Sequence, residues 1–201
     1  YQEGERPWDH SLAWAQKHGW MWSTPLLNRK GNGYNYSSEY TTDEAAQQEI
    51  ETLLGRPINP VKLIKFEAGR RTAPWVKNCL AVGLSNSFLE PLEATSIHTT
   101  IIQLKSWINE YLQPTRELTV NPGSISIYNK RINRQYDDLV DFIVMHYQGG
   151  RNDTEFWRYM NSQARTPAVQ ELLDTAQSRL PSINDFTRYW GVAAVSYTHL
   201  R

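Results

Sequence analysis

The chain has a single cysteine, Cys79, in 201 residues. No internal disulfide can form, and a lone thiol in an apolar stretch points to a reducing compartment. Net charge is zero at neutral pH, with no basic stripe for nucleic acid and no acidic tail. No apolar run approaches the ~20 residues that span a bilayer, and no secretory leader is visible. His98 and His146 lie in helical patterns without partners at ligand spacing, which leaves no metal site. Gly31-Asn32-Gly33 lacks a third glycine at Tyr36 and leads into strand-like residues, so it reads as a turn and not as a dinucleotide loop. The expectation is a soluble, cytoplasmic chain with neither nucleic acid nor membrane as partner. Its hydrophobic content of 40% is enough for the core of one ordinary domain.

The pattern along the chain is α+β, with strands first and helices later. Trp20–Leu27 and Tyr34–Ser38 alternate with period two around a glycine-rich turn and predict a β-hairpin. Trp20, Trp22 and Thr24 would share one face and form an aromatic ladder with Tyr34 and Tyr36. Thr42 followed by Asp43 and Glu44 predicts a helix to about Leu54, stopped by Gly55. Val61–Phe66 and Asn78–Gly83 read as further strands. Beyond residue 90, Ile97, Ile101, Leu104, Ile108 and Leu112 recur at helical spacing. Leu139, Phe142, Ile143 and Tyr147 mark another helix, starting between Ser126 and Asn133. Shorter helices are expected over Asp153–Met160 and Pro167–Arg179. Residue 90 is a change of layer and not a linker.

The most informative stretch runs from Gly83 to Ile97. A turn, a proline and a carboxylate lead into an amphipathic helix. The first amides of a helix have no intrahelical acceptors and carry the positive end of its dipole. Thr95 and Ser96 therefore stand where a small anion can bind, with Glu93 nearby. A carboxylate beside an anion site is electrostatically awkward, which suggests function. The plain alternative is a helix-start carboxylate stabilised by the dipole, a role for which Glu90 competes. Trp20 and Trp22, followed by Pro25, either pin the hairpin to a core or wall off a flat aromatic ligand. From the residues alone, both pairs of readings stay open.

Gly19-Trp20-Met21-Trp22-Ser23-Thr24-Pro25 resembles the W-x-W-x-I-P signature of the flavin-dependent tryptophan halogenases. Five further segments resemble that family in order. They are Gly31–Tyr34, Gly69–Arg71, Trp75–Cys79, Phe88–Ile97 and Asp153–Tyr159. The resemblance runs from about Gly19 to Trp190. It implies the end of a flavin-monooxygenase-like FAD-binding domain over 1–90 and a mostly helical substrate-side domain over 91–194. It also implies FAD, used as FADH2, with oxygen and chloride or bromide, to halogenate an indole or another electron-rich ring. A separate flavin reductase would supply the reduced cofactor, and a homodimer is compatible with the family. The backbone amides of Thr95 and Ser96 would hold chloride, and Leu84 and Ile97 would lie against the flavin through their backbones. Glu93 would act on the substrate side, while Trp20, Trp22 and Pro25 would keep substrate apart from the flavin. A related flavin-dependent hydroxylase is the alternative.

Three departures stand out. Thr24 replaces the isoleucine of the signature, and Ser96 stands where the family has glycine. Residues 195–201, Val-Ser-Tyr-Thr-His-Leu-Arg, resemble a translated transposase adapter and are given no function. The family's glycine-rich loop and catalytic lysine would precede Tyr1. The chain is expected to be a fragment, inactive and prone to aggregate on its own.

Overall fold

A computed structural model describes residues 10–92, 95–112 and 121–180. The chain forms two compact units. One combines the residues up to Lys65 with Tyr147–Gln163, and the other combines Phe66–His146 with the residues from Ala164 on.

The first unit is built on an antiparallel sheet of order β1-β2-β3, formed by Leu12–Gln16, Gly19–Pro25 and Lys30–Tyr36. The expected hairpin is β2–β3, and β1 was not foreseen. The register corrects two expectations. Trp20 lies opposite Asn35, Met21 opposite Tyr34 and Trp22 opposite Gly33. Directly opposed residues share a face, so Tyr34 and Tyr36 lie on the face of Met21, away from both tryptophans. No Trp–Tyr ladder forms. Gly31 and Gly33 are strand residues, and the turn is made by residues 26–29, where the Leu26 N–H donates to the Arg29 carbonyl (2.8 Å). Gly33 is small because the Trp22 ring lies on it: a Cβ there would stand 2.3 Å from ring carbons. Glycine inside a strand commonly marks such a close approach.

Helix α1, Asp43–Leu54, forms as expected. The Thr42 hydroxyl accepts from the Ala45 amide, and Gly55 at φ 66° returns its N–H to the Glu51 and Thr52 carbonyls. Tyr34 donates to the Glu49 carboxylate (3.0 Å) and Tyr36 to Asp43 (2.7 Å). The other face of β2 is met by the returning segment, where Trp20 packs edge-on against Tyr147 and Trp157. That segment carries a short helix, Glu155–Ser162, capped by Thr154.

In the second unit, β4 (Gly69–Arg70) pairs with β7 (Ser87–Phe88), and β5 (Trp75–Val76) with β6 (Cys79–Leu80). These strands are two residues long. Val61–Phe66, of which all but Phe66 belongs to the first unit, forms no strand, and the expected strand over 78–83 shrinks to Cys79–Leu80. Strand-forming residues need a ladder partner, and the described residues supply none to 61–66. Cys79 is exposed, not buried. The core is Trp75, 2% exposed, ringed edge-on by Trp107, Tyr111 and Tyr128. Asn129 clamps its backbone, accepting from Trp75 N (2.8 Å) and donating to Trp75 O (2.9 Å).

Three helices complete this unit: α2 (Thr95–Tyr111), α3 (Pro122–Tyr147, whose last residue belongs to the first unit) and α5 (Pro167–Ser178). The helix in the returning segment is α4. α3 starts earlier than expected because Pro122 suits the first helical position and Asn121 accepts from the Ser124 amide (2.8 Å). Its Leu139, Phe142, Ile143 and Tyr147 are buried as expected. α5 is tied to α3 by the Thr166 hydroxyl donating to Asp141 (2.8 Å). Among the described residues, no helix is long and apolar enough to cross a membrane.

Candidate functional site

Thr95 is the first described residue of α2; Leu92 before it is in a 3-10 conformation, and 93–94 lie outside the described residues. Among the described residues, no backbone bond outside the helices and strands uses the Thr95 or Ser96 amide. The side chains of this first turn point their hydrogen bonds elsewhere. Thr95 is buried and its hydroxyl donates to the Leu92 carbonyl (3.3 Å). The Thr99 and Thr100 hydroxyls donate to the Ser96 carbonyl (3.2 and 2.7 Å). Partial burial lowers the pKa of His98, about one turn into α2.

A 3-10 turn upstream of this helix, Gly83–Ser85, packs on α2. Gly83 sits at φ 58°, where a Cβ would be strained and would stand 3.2 Å from the Thr100 hydroxyl. The Ser85 hydroxyl bridges the Val82 amide (3.0 Å) and carbonyl (2.7 Å). Arg71 donates through Nε to the Ser85 carbonyl (2.6 Å), and its backbone N–H donates to the Asn86 carbonyl (2.8 Å). Gln103, 1% exposed, reaches back from α2 to the Ala81 carbonyl (2.9 Å). Arg71 and Gln103 thus fix the turn against the helix. The sequence reading missed Gln103, because a glutamine within an Ile/Leu-rich helix gives no sign of facing inward. Asn86 is buried, and among the described residues neither of its side-chain amide atoms has a hydrogen-bond partner.

The structure brings together Leu84, Thr95, Ser96 and Ile97 in one unit, with Leu84 73% and Ile97 66% exposed. Glu93 lies outside the described residues, as do residues 195–201. Trp20, Trp22 and Pro25 lie on β2 of the first unit. Pro25 pairs with Lys30 at the end of the hairpin, Trp20 is held by Tyr147 and Trp157, and Trp22 covers Gly33. Both tryptophans therefore have a structural role in the hairpin.

Asp153–Tyr159 closes the sheet edge at β1. Thr154 donates to the Lys17 carbonyl (2.8 Å), Trp157 Nε1 to Gln16 (2.7 Å) and Arg151 to Ala15 (2.6 Å). Asp153 pairs with Arg151 (2.6 Å), whose guanidinium lies 5.3 Å from the Trp157 ring centroid. The hydrogen bond from Arg151 lowers the Asp153 pKa and raises that of Arg151. No group of three or more His, Cys, Asp or Glu among the described residues could hold a metal. A cavity of about 660 Å³ lined by Trp75, Lys77, Asn129 and Lys130 includes none of the residues expected at the site.

A family model described as "Tryptophan halogenase" matches residues 2–199. A tryptophan 7-halogenase of Lentzea aerocolonigenes is 34% identical over 184 residues, 88% of this chain and 34% of that protein. A tryptophan 6-halogenase of Streptomyces toxytricini is 31% identical over 94% of this chain and 36% of its own length. Among solved structures, a flavin-dependent halogenase from Brevundimonas sp. BAL3 superposes with a TM-score of 0.80 at 29% identity, covering 97% of this chain and 40% of that one. The chain thus spans about a third of the length of these curated relatives.

Proposed function

This chain belongs to the tryptophan halogenase family, and from that premise we propose that the family-length protein is a flavin-dependent halogenase acting on an indole or another electron-rich aromatic ring. The supporting observation is local. The halogenase-like segment Phe88–Ile97 runs into α2, so that Thr95 and Ser96 are the first described residues of a 17-residue helix. A helix start suits a halide because its amides and dipole favour a small anion. The residues also fit a flavin. Leu84 and Ile97 expose apolar surface on elements packed together, a surface of the kind a flat ring system covers.

Bound flavin, reduced by a separate reductase and reacting with oxygen, supplies the oxidising equivalents that turn halide into an electrophilic halogen. The roles of this chain are binding and orientation. Thr95 and Ser96 hold the halide through backbone N–H groups, and Leu84 and Ile97 contribute backbone and apolar contacts to the ring system. Glu93 stabilises the positive charge that develops on the substrate ring as halogen adds, then accepts the proton lost from that carbon. Trp20, Trp22 and Pro25 keep substrate apart from the flavin, which disfavours direct hydroxylation. In these functional terms residues 1–90 belong to the end of the FAD-binding domain and 91–194 to the substrate side.

The test is product analysis with the family-length protein, reduced FAD, oxygen, a halide and an indole panel. Halogenated product is expected, and Glu93→Gln should cut turnover by at least about a hundredfold while flavin oxidation continues. Unchanged halogenation in that variant removes the role given to Glu93. Products gaining oxygen, whichever halide is present, would identify a hydroxylase, and Ser96 and Thr24 are the positions to examine first.

A further inference from the structure

The hairpin that joins β5 to β6 carries a conformational anomaly. Val76 pairs with Cys79, so Lys77 and Asn78 form a two-residue loop. Lys77 takes φ 53°, and among the described residues it is the one non-glycine at positive φ. Loops of this kind favour glycine, asparagine or aspartate, because a longer side chain is strained there. The geometry is held by Trp75, whose Nε1 donates to the Lys77 carbonyl (3.0 Å). Backbone strain retained by its surroundings is concentrated at functional positions. Lys77 lines the cavity of about 660 Å³ between this hairpin and α3, a volume within the range of about 300–1,000 Å³ of small-molecule sites.

The lining divides by chemistry. Val76, Pro122 and Ile125 supply apolar surface, while Lys77 and Lys130 supply two ammonium groups. Among the described residues that line the cavity none is acidic, and neither lysine enters an ion pair with a described residue. Asn133 supplies an acceptor. Its Nδ2 donates to the Thr72 carbonyl (2.8 Å), which leaves Oδ1 buried and without a partner among the described residues. Asn129, one turn earlier, has both amide atoms committed to the Trp75 backbone, so the open acceptor is particular to Asn133. A buried acceptor left open is costly unless a donor reaches it. We propose that this cavity binds a small organic carboxylate with an apolar body and one hydroxyl donor. The carboxylate pairs with Lys77 and Lys130, the hydroxyl donates to Asn133 Oδ1, and the body covers Val76, Pro122 and Ile125. The cavity includes none of the residues assigned to halide and flavin, and its occupancy is independent of the reaction.

Lysine acetylation read by mass spectrometry tests this on the 201-residue chain, with 4-hydroxyphenylacetate as the probe. Lys62, exposed and outside the cavity, is the internal reference. The probe should slow acetylation of Lys77 and Lys130 saturably and leave Lys62 unchanged. Equal acetylation with and without the probe would overturn the proposal. Equal protection by 4-hydroxyphenylethanol, which has the same body without the charge, would overturn it as an anion site. Equal protection by phenylacetate would overturn the assignment of Asn133 Oδ1 as the acceptor. Lys77→Gly supplies a second readout, since glycine takes φ 53° without strain. This variant should raise the melting temperature, while the probe concentration that half-protects Lys130 rises by about tenfold or more. A lowered melting temperature would contradict the strain at Lys77, and unchanged protection of Lys130 would contradict a shared site.

Discussion

The sheet of β1–β3 covers its own edge, whereas α2 turns its most apolar side to solvent. Both features come from segments that resemble the same enzyme family, yet they do different work. At the C-terminal end of β1, three side chains from residues 151–157 satisfy the consecutive carbonyls of residues 15–17, which removes acceptors that an edge strand would otherwise offer. At α2 the hydrogen-bonding residues face inward and the aliphatic ones are left over. Polar side chains thus close backbone groups in one unit and brace a loop in the other, where the aliphatic residues are left exposed.

The largest effect should follow from Trp157→Ala. This removes a buried ring packed on Trp20, Tyr147 and Phe156, together with its bond to Gln16. A loss of about 3–5 kcal/mol is expected, read as a lower denaturant midpoint for the tryptophan-rich unit, with Trp75 fluorescence transitions little changed. A parallel loss in both units would show that the two are not independent.

Gly33→Ala comes next. Its Cβ would collide with the Trp22 ring, and overpacking of that kind costs about 1–3 kcal/mol. Gly31→Ala, where a Cβ would meet nothing closer than 3.7 Å, should cost about 1 kcal/mol or less. Equal losses at the two positions would contradict the register described for β2 and β3.

Much of the fold was legible because local signals and tertiary demands agreed. Thr42 and Gly55 bound α1 as caps, and the spacing of Leu139, Phe142, Ile143 and Tyr147 marks the buried side of α3. The failures have physical causes. Whether Tyr34 shares a face with Trp20 depends on register, and one residue of slip moves it to the other side. Gly31 and Gly33 carry turn composition but serve a packing need that appears only once Trp22 is placed. Val61–Phe66 has strand composition without a described partner. For the site, the helix beyond residue 90 was readable from sequence, while Gln103 and Arg71, which brace the turn packed on it, were visible only in three dimensions.

The smallest effects should appear with pH. Tyr34 and Tyr36 are pushed above their ordinary value of 10.0, Tyr36 to about 12, first by burial and then by the carboxylates they bond. A raised pKa means that the folded state favours the protonated phenol. Its contribution is complete below pH 10 and is lost as pH rises through about 12. The unit containing α1 should therefore lose stability in alkaline titration, and Tyr34→Phe with Tyr36→Phe should flatten that dependence. An unchanged alkaline midpoint would show that these phenols are not coupled to the unit's stability. Asp153 has the opposite sign. Its lowered pKa gives stability above its ordinary value of 3.8 that fades as pH falls below it, and Arg151→Met should remove that acid dependence.

The most direct measurement is anomalous diffraction from crystals of the family-length protein grown in bromide. The account predicts one bromide at the start of α2, within hydrogen-bonding distance of the backbone nitrogens of Thr95 and Ser96 (about 3.3 Å, slightly beyond an N–H···O contact). Bromide bound only elsewhere, with both amides donating to protein carbonyls, would contradict it.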